Sequence, residues 1–298
     1  MHRRPPSRTA GPVRGRVLAS VLAAGALLTC AACSGGGGSN GGSAGHDTAS
    51  DVAASPLAAE SPLASPRTGK SASPRAEKSA APVLTPAGAR AALITEADLE
   101  DSWTQVKGAA GWGDKLVIGK VDVADFLTAK TNAADCQKLL DALYDDTLLG
   151  KPTGASALTG FEESNSRLLY QVAAYDRAKL GASLNWLKTL PVKCDQFTAT
   201  DSKGGHRTVQ VIEDPVPSVG DARQGLQVTV TGTSGNEPTT LTLQLAVVRV
   251  GTDAITVTSG GLDGTESDTT KAAVQDGTSH LKDVLAGRTP PAQPGNLD

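Results

Sequence analysis

Three runs between Leu226 and Val257 place apolar residues on alternate positions, and that period restricts this part of the chain to strands. Leu226, Val228 and Val230 interleave with Gln227 and Thr229. Leu241, Leu243, Leu245 and Val247 interleave with Thr242 and Gln244, and Ile255 and Val257 flank Thr256. Successive side chains of a strand point to opposite faces, so the pattern predicts antiparallel strands with one face buried and a threonine-rich face outward. Glycines at 232 and 235 and at 251 predict hairpin turns between them. Val209 and Val211, the surroundings of Leu158, and Leu168 to Tyr175 supply further strands.

Helical spacing occurs elsewhere. Cys136, Leu140 and Leu143 share a face over about 135–146, and Leu180, Leu184 and Leu187 share one over 176–190. A last helix is predicted over 266–285, with Val274, Leu281, Val284 and Leu285 inward. Thr265 to Asp268 form a capping box at its start and Gly287 marks its end. The expected fold is α+β, an antiparallel β-sheet with helices packed on one face. It is read as a single domain over 87–298, following a disordered N-terminal tether.

The first 32 residues read as an export signal. Arg3, Arg4, Arg8, Arg14 and Arg16 precede the apolar run 17–28, and no acid occurs among them. A run of about a dozen residues is too short for a spanning helix, which needs about 20. Ala31-Ala32 before Cys33 fits cleavage at that point better than Leu28-Thr29 fits cleavage before Cys30. The segment resembles a bacterial lipobox, with Cys30 standing where leucine is usual. The resemblance implies a diacylglyceryl thioether on Cys33, with palmitate among the acyl chains, and anchorage on the extracytoplasmic face of the cell membrane. Pro5 and Pro6 after the arginine pair favour the general secretory route over twin-arginine export.

Residues 33–86 are dominated by Gly, Ser, Ala and Pro, including Gly35–Gly38 and four Ser-Pro pairs. Such a segment buries too little to offset its ordering entropy, so it is expected to be a disordered leash. A coil of about 53 residues has an r.m.s. span near 40 Å. Its Ser and Thr residues beside proline are candidates for glycans. Loss of the signal removes five arginines, leaving 23 basic against 31 acidic residues, a net of −8. The leash is neutral, so the acidity lies in the domain and argues against nucleic acid as a partner.

The domain retains Cys136 and Cys194, which in an exported protein are expected to form one disulfide closing a loop of about 58 residues. A metal or redox pair would need a C-x-x-C or histidines at ligand spacing, and neither is present. Within 87–298 there is no G-x-S-x-G, H-E-x-x-H, phosphate-binding glycine loop or dinucleotide fingerprint. His206 and His280 have no carboxylate at a motif spacing. The acidic pairs Glu162-Glu163 and Asp145-Asp146, and the run 263–268, match neither a calcium loop nor a recognisable glycosidase pair. No catalytic residue, metal ligand or cofactor is assigned. All nine aromatics fall between Trp103 and Phe197. Trp103 and Trp112, in a glycine-containing stretch, read as exposed rings able to stack on a ligand or to plug a core edge. With Trp186 they make the candidate ligand-binding set.

Several landmarks occur together: Leu93-Ile94-Thr95-Glu96-Ala97-Asp98-Leu99, Asp135-Cys136, Trp186 followed by Cys194, and Val247-Val248-Arg249-Val250 with Ile255-Thr256-Val257. Over about 90–286 the chain resembles actinobacterial envelope lipoproteins related to the extracellular sensor domain of membrane serine/threonine kinases. The resemblance implies an α+β sensor-like domain with a cleft for an unidentified ligand. The chain departs from it in having two domain cysteines, not four, and in lacking a kinase domain and a membrane helix, so signalling is not carried over. The expectation is a lipid-anchored, non-enzymatic ligand-binding or sensing protein whose partners are the membrane, through its lipid, and a small molecule or an envelope protein. Two alternatives stand beside it: a protein–protein interaction module and a carboxylate-dependent wall hydrolase.

Overall fold

The computed structural model describes residues 83–99, 102–262, 264–265 and 267–290. The signal, Cys33, nearly all of the leash and Glu266 of the capping box lie outside the described residues. The strands are β1 (Thr104–Val106), β2 (Val117–Ile118), β3 (Val121–Asp122), β4 (Ser156–Glu163) and β5 (Ser166–Ala174). They continue with β6 (Gln196–Thr200), β7 (His206–Glu213), β8 (Ala222–Ser234), β9 (Glu237–Val250) and β10 (Asp253–Gly261). The helices are α1 (Pro86–Ala91), α2 (Val123–Leu127), α3 (Ala134–Ala142), α4 (Arg177–Lys193) and α5 (Ser267–Leu285).

Eight strands form one antiparallel sheet in the order β1-β4-β5-β10-β9-β8-β7-β6, and β2 and β3 form a separate ribbon. The alternating runs pair as their apolar faces require, with Leu226 opposite Leu245, Val228 opposite Leu243 and Val230 opposite Leu241. The β4–β5, β8–β9 and β9–β10 hairpins each turn on two residues. The first of these, Ser164, Gly235 and Gly251 respectively, has positive φ. Turns of that hand match the twist of the flanking strands.

The α+β class and the antiparallel sheet stand, but helices cover both faces of the sheet. On one face α1 and α5 pack over β4, β9 and β10, joining Leu168, Tyr170, Val172, Val248, Ile255 and Val257 to Val274 and Leu281. On the other, Leu169, Leu226, Leu243 and Leu245 meet Phe126 of α2, Leu139 of α3, and Leu180 and Leu187 of α4. The threonines read as solvent-facing explain the difference. Thr256 and Thr258 of β10 are buried, and the Thr256 hydroxyl donates to Gln171 Oε1 at 3.3 Å. A hydroxyl satisfied in this way can occupy an interior face.

Helix α3 ends earlier than its spacing suggests, because Leu143 is extended and Tyr144 has φ of 55°. That turn buries Tyr144, whose hydroxyl donates to the Gly260 carbonyl at 2.8 Å. Helix α4 is capped by the Asp176 carboxylate, which accepts from the Ala178 and Lys179 amides, and it continues past Pro191 to Lys193.

Asp253, which opens β10, is 3% exposed, and burial pushes its carboxyl up to about 6. The folded chain therefore holds a proton that the unfolded chain releases near pH 4. This stabilises the fold fully below about pH 4, and the contribution is lost as pH rises towards 6. A displacement that large corresponds to at most about 3 kcal/mol. Water beside the exposed Gly251-Thr252 turn reduces the expectation to about 1–2 kcal/mol. Asp253→Asn should gain that much in urea melts at pH 7.5 and nothing at pH 3.5. An equal gain at both values would show that the carboxyl keeps an ordinary titration.

Candidate functional site

After β7 the chain crosses the α5 face of the sheet as a strap over 214–221. Pro215 and Pro217 have no amide hydrogen and suit a segment outside any ladder. The strap is seated on Gly225 of β8, where a Cβ would collide with the Asp214 carbonyl and the Val216 side chain. Val216 and Val219 pack onto the core of this face. Gly220, with φ of 70°, turns the chain into β8, and the Asp221 carboxylate accepts from the Gly251 amide at 2.6 Å.

Strap and helix do not close on each other. Between the strap and the first turns of α5 lies a slot of about 220 Å³, floored by Gln244 and Ala246 of β9 and walled by Val216 and Val274. A polar chain crosses its floor. Thr270 Oγ1 donates to Gln244 Oε1 at 2.9 Å, and Gln244 Nε2 donates to Asp214 Oδ2 at 2.9 Å. Thr270 and Gln244 are both buried. Burial raises the Asp214 carboxyl above its ordinary range, opposed by the Gln244 hydrogen bond and by the Lys271 charge. Lys271 stands at the rim, 3.0 Å from Asp268.

A mainly apolar cavity with a few fixed polar groups is the ordinary form of a small-molecule site. This slot is smaller than the roughly 300–1,000 Å³ usual for drug-sized ligands. Its chemistry suits a compact apolar body with one hydrogen-bonding group directed at Asp214. The Thr270 proton is committed to Gln244, so the slot does not pair a nucleophile with a base. No cluster of three metal-ligating side chains occurs among the described residues.

The tryptophans lie elsewhere, and two of them are not exposed. Trp103 is 3% exposed within the core of the α5 face. Trp112, on the opposite face, is 8% exposed and meets Tyr144 edge-on at 5.9 Å. Its ring occupies the space above Gly160, where a Cβ would come within 2.7 Å of Cη2. It also borders a narrow cleft of about 110 Å³ beside α2 and α3. Trp186, half-buried on α4, donates from Nε1 to Asp135 at 3.1 Å and carries Lys138 Nζ 3.9 Å above its ring. The three rings do not converge on one site. Nearby, Cys136 and Cys194 form a disulfide joining α3 to the end of α4. Beside it Lys193 approaches Asp135 at 2.7 Å, and its hydrogen bond is the main cause of the lowered Asp135 carboxyl.

No family model matches the chain, and no curated protein matches it. Among solved structures it is similar to the extracellular domain of PknH from Mycobacterium tuberculosis, covering 70% of this chain and 98% of that one. The identity is 14% and the TM-score 0.39, and no residue role is carried across. Among the described residues no helix is long and apolar enough to cross a membrane.

Proposed function

We propose that this chain is an envelope lipoprotein, held by lipid on Cys33 to the extracytoplasmic face of the membrane. The segment after Cys33 serves as the leash. It ends sooner than residue 86, because Leu84 is buried in the core, Thr85 caps α1 and Pro86 opens it. The domain from there on binds a small ligand without catalysis. The observation that carries the binding role is the slot between the strap and α5, where Gln244 links Asp214 to Thr270 beneath an apolar cavity. The disulfide supports export, because such bonds persist in oxidising compartments. A sensing role follows from the slot's construction: a ligand there touches the strap, β9 and α5 together, and so can tighten three elements at once.

The test is mass spectrometry of the full chain purified from its native cells. Denatured, the protein should begin at Cys33 with a diacylglyceryl adduct. Under native conditions it should carry a small molecule that is lost in Ala246→Leu, which fills the slot, and at least tenfold depleted in Thr270→Val. An unlipidated N-terminus at Met1 would overturn the anchor. A carried molecule retained by a folded Ala246→Leu protein, or none in the wild type, would overturn the slot.

A further inference from the structure

A second cavity, on the opposite face of the sheet from the slot, is built around one buried charge. About 400 Å³ lies between the β3–α2 junction, the β6–β7 loop and the tip of the β8–β9 hairpin. Arg207 enters it from the start of β7 and is 7% exposed. Its guanidinium carbon sits 4.2 Å from the centroid of Phe126, and Nη2 is 3.0 Å from Asp201 Oδ2. Nε and Nη1 are buried with no hydrogen-bond partner among the described residues. An aromatic face attracts the cation but accepts no conventional hydrogen bond from its edges. Leaving buried donors of a charged group unpaired is costly.

The acids around the cavity do not supply the missing acceptors. Asp201 is already shared, its Oδ1 accepting from the Gly205 amide at 2.7 Å and the Lys203 amide at 2.9 Å, and these bonds hold its carboxyl below the usual range. Asp122 caps α2, facing the Asp125 and Leu116 amides at 3.4 Å. Asp125 is exposed at the rim. Lys120 and Lys203 also line the cavity, and neither has an ion-pair partner among the described residues.

We infer that this cavity binds a small oxyanion carried on a hydroxylated body, a polyol phosphate or a sugar acid. Lys120 and Lys203 take the charge, with the buried Arg207 cation behind them, while Asp125, Ser202 and Ser234 meet the hydroxyls. Two exposed lysines without an ion-pair partner among the described residues, backed by the buried Arg207 charge, favour an oxyanion. The rim carboxylate and hydroxyls disfavour a bare, highly charged ion and favour one bearing donors. This assignment is independent of the slot.

The experiment is calorimetric titration of the full chain at low ionic strength with glycerol 3-phosphate, glucuronate, inorganic phosphate and glycerol. At least one of the charged polyols should bind saturably at one site, more tightly than inorganic phosphate, and glycerol should not bind. The double variant Lys120→Glu/Lys203→Glu, altered only at exposed positions, should weaken binding at least tenfold with an unchanged melting temperature. No saturable binding, or binding the double variant leaves intact, would overturn the site and leave Arg207 and Asp201 as an internal strut. Equal binding of inorganic phosphate would remove the hydroxylated body from the assignment.

Discussion

Replacing Cys136 and Cys194 together with alanine should lower stability by about 4 kcal/mol, the largest loss expected from removing one link. The bond closes a loop of 58 residues. In the chain-entropy account a loop of that size restricts the unfolded ensemble by about 4 kcal/mol. The folded chain has little to replace it. Helix α3 is nine residues long, too short to persist alone, and its N-cap residue Ala133 offers no side-chain acceptor. Cys136 and Cys194 are both fully buried, so alanine leaves a small cavity and no unpaired polar atom. For a domain of this size the loss corresponds to a fall in melting temperature of about 8–16 °C. Reducing the wild-type protein should reproduce most of the fall. A double variant within about 1 kcal/mol of the wild type would mean that the α3–α4 region stays compact when the chain unfolds.

The strands of this domain were legible because each alternating run has a consistent apolar face. Leu226, Val228 and Val230 point into one core and pair with Leu241, Leu243 and Leu245 as the pattern requires. Helix α4 was legible through Leu180, Leu184 and Leu187, and the disulfide through cysteine count in a chain whose start reads as an export signal. The second covered face was not. It is built from Ala246, Val248, Ile255 and Val257 against α5, while Thr256 and Thr258 of β10 are buried towards the other core, the Thr256 hydroxyl bonded to Gln171. Threonine in a strand reads as outward until its partner is known, and Gln171 is 85 residues away. Trp103 and Trp112, expected as exposed rings that stack on a ligand or plug a core edge, are buried, and for Trp112 the cause was hidden for a related reason. The glycine that gives Trp112 its place is Gly160, on a strand opposite it, and not one of its neighbours in sequence. Of the slot, only Pro215 and Pro217 left a local signal. Asp214, Gln244 and Thr270 come from three elements, and their hydrogen bonds exist only once the sheet has formed.

Gly277→Ala in α5 should cost about 2 kcal/mol or more, although the same change in an unobstructed helix stabilises by up to about 1 kcal/mol. The reason is the seat of Tyr170. This fully buried ring rises from β5 into the notch that Gly277 leaves on α5, and a Cβ there would collide with the hydroxyl and lie 2.7 Å from two ring carbons. The ring has no retreat. Its hydroxyl faces the Ala92 carbonyl at 3.4 Å, and burial raises the phenol far above its ordinary range. One helical turn on, His280 Nε2 lies 3.6 Å from Asp98 Oδ1, while Asp98 Oδ2 accepts from the Thr95 amide and hydroxyl at 2.7 and 2.8 Å. Moving α5 outward to admit a methyl group would therefore disturb Thr95, Asp98 and His280 together. Gly181 in α4 supplies the control, since a Cβ there meets nothing within 4 Å. Gly181→Ala should gain up to about 1 kcal/mol in the same urea melts. Opposite signs at the two glycines would place the cost at the Tyr170 seat, whereas a gain at both would show that α5 shifts freely on the sheet.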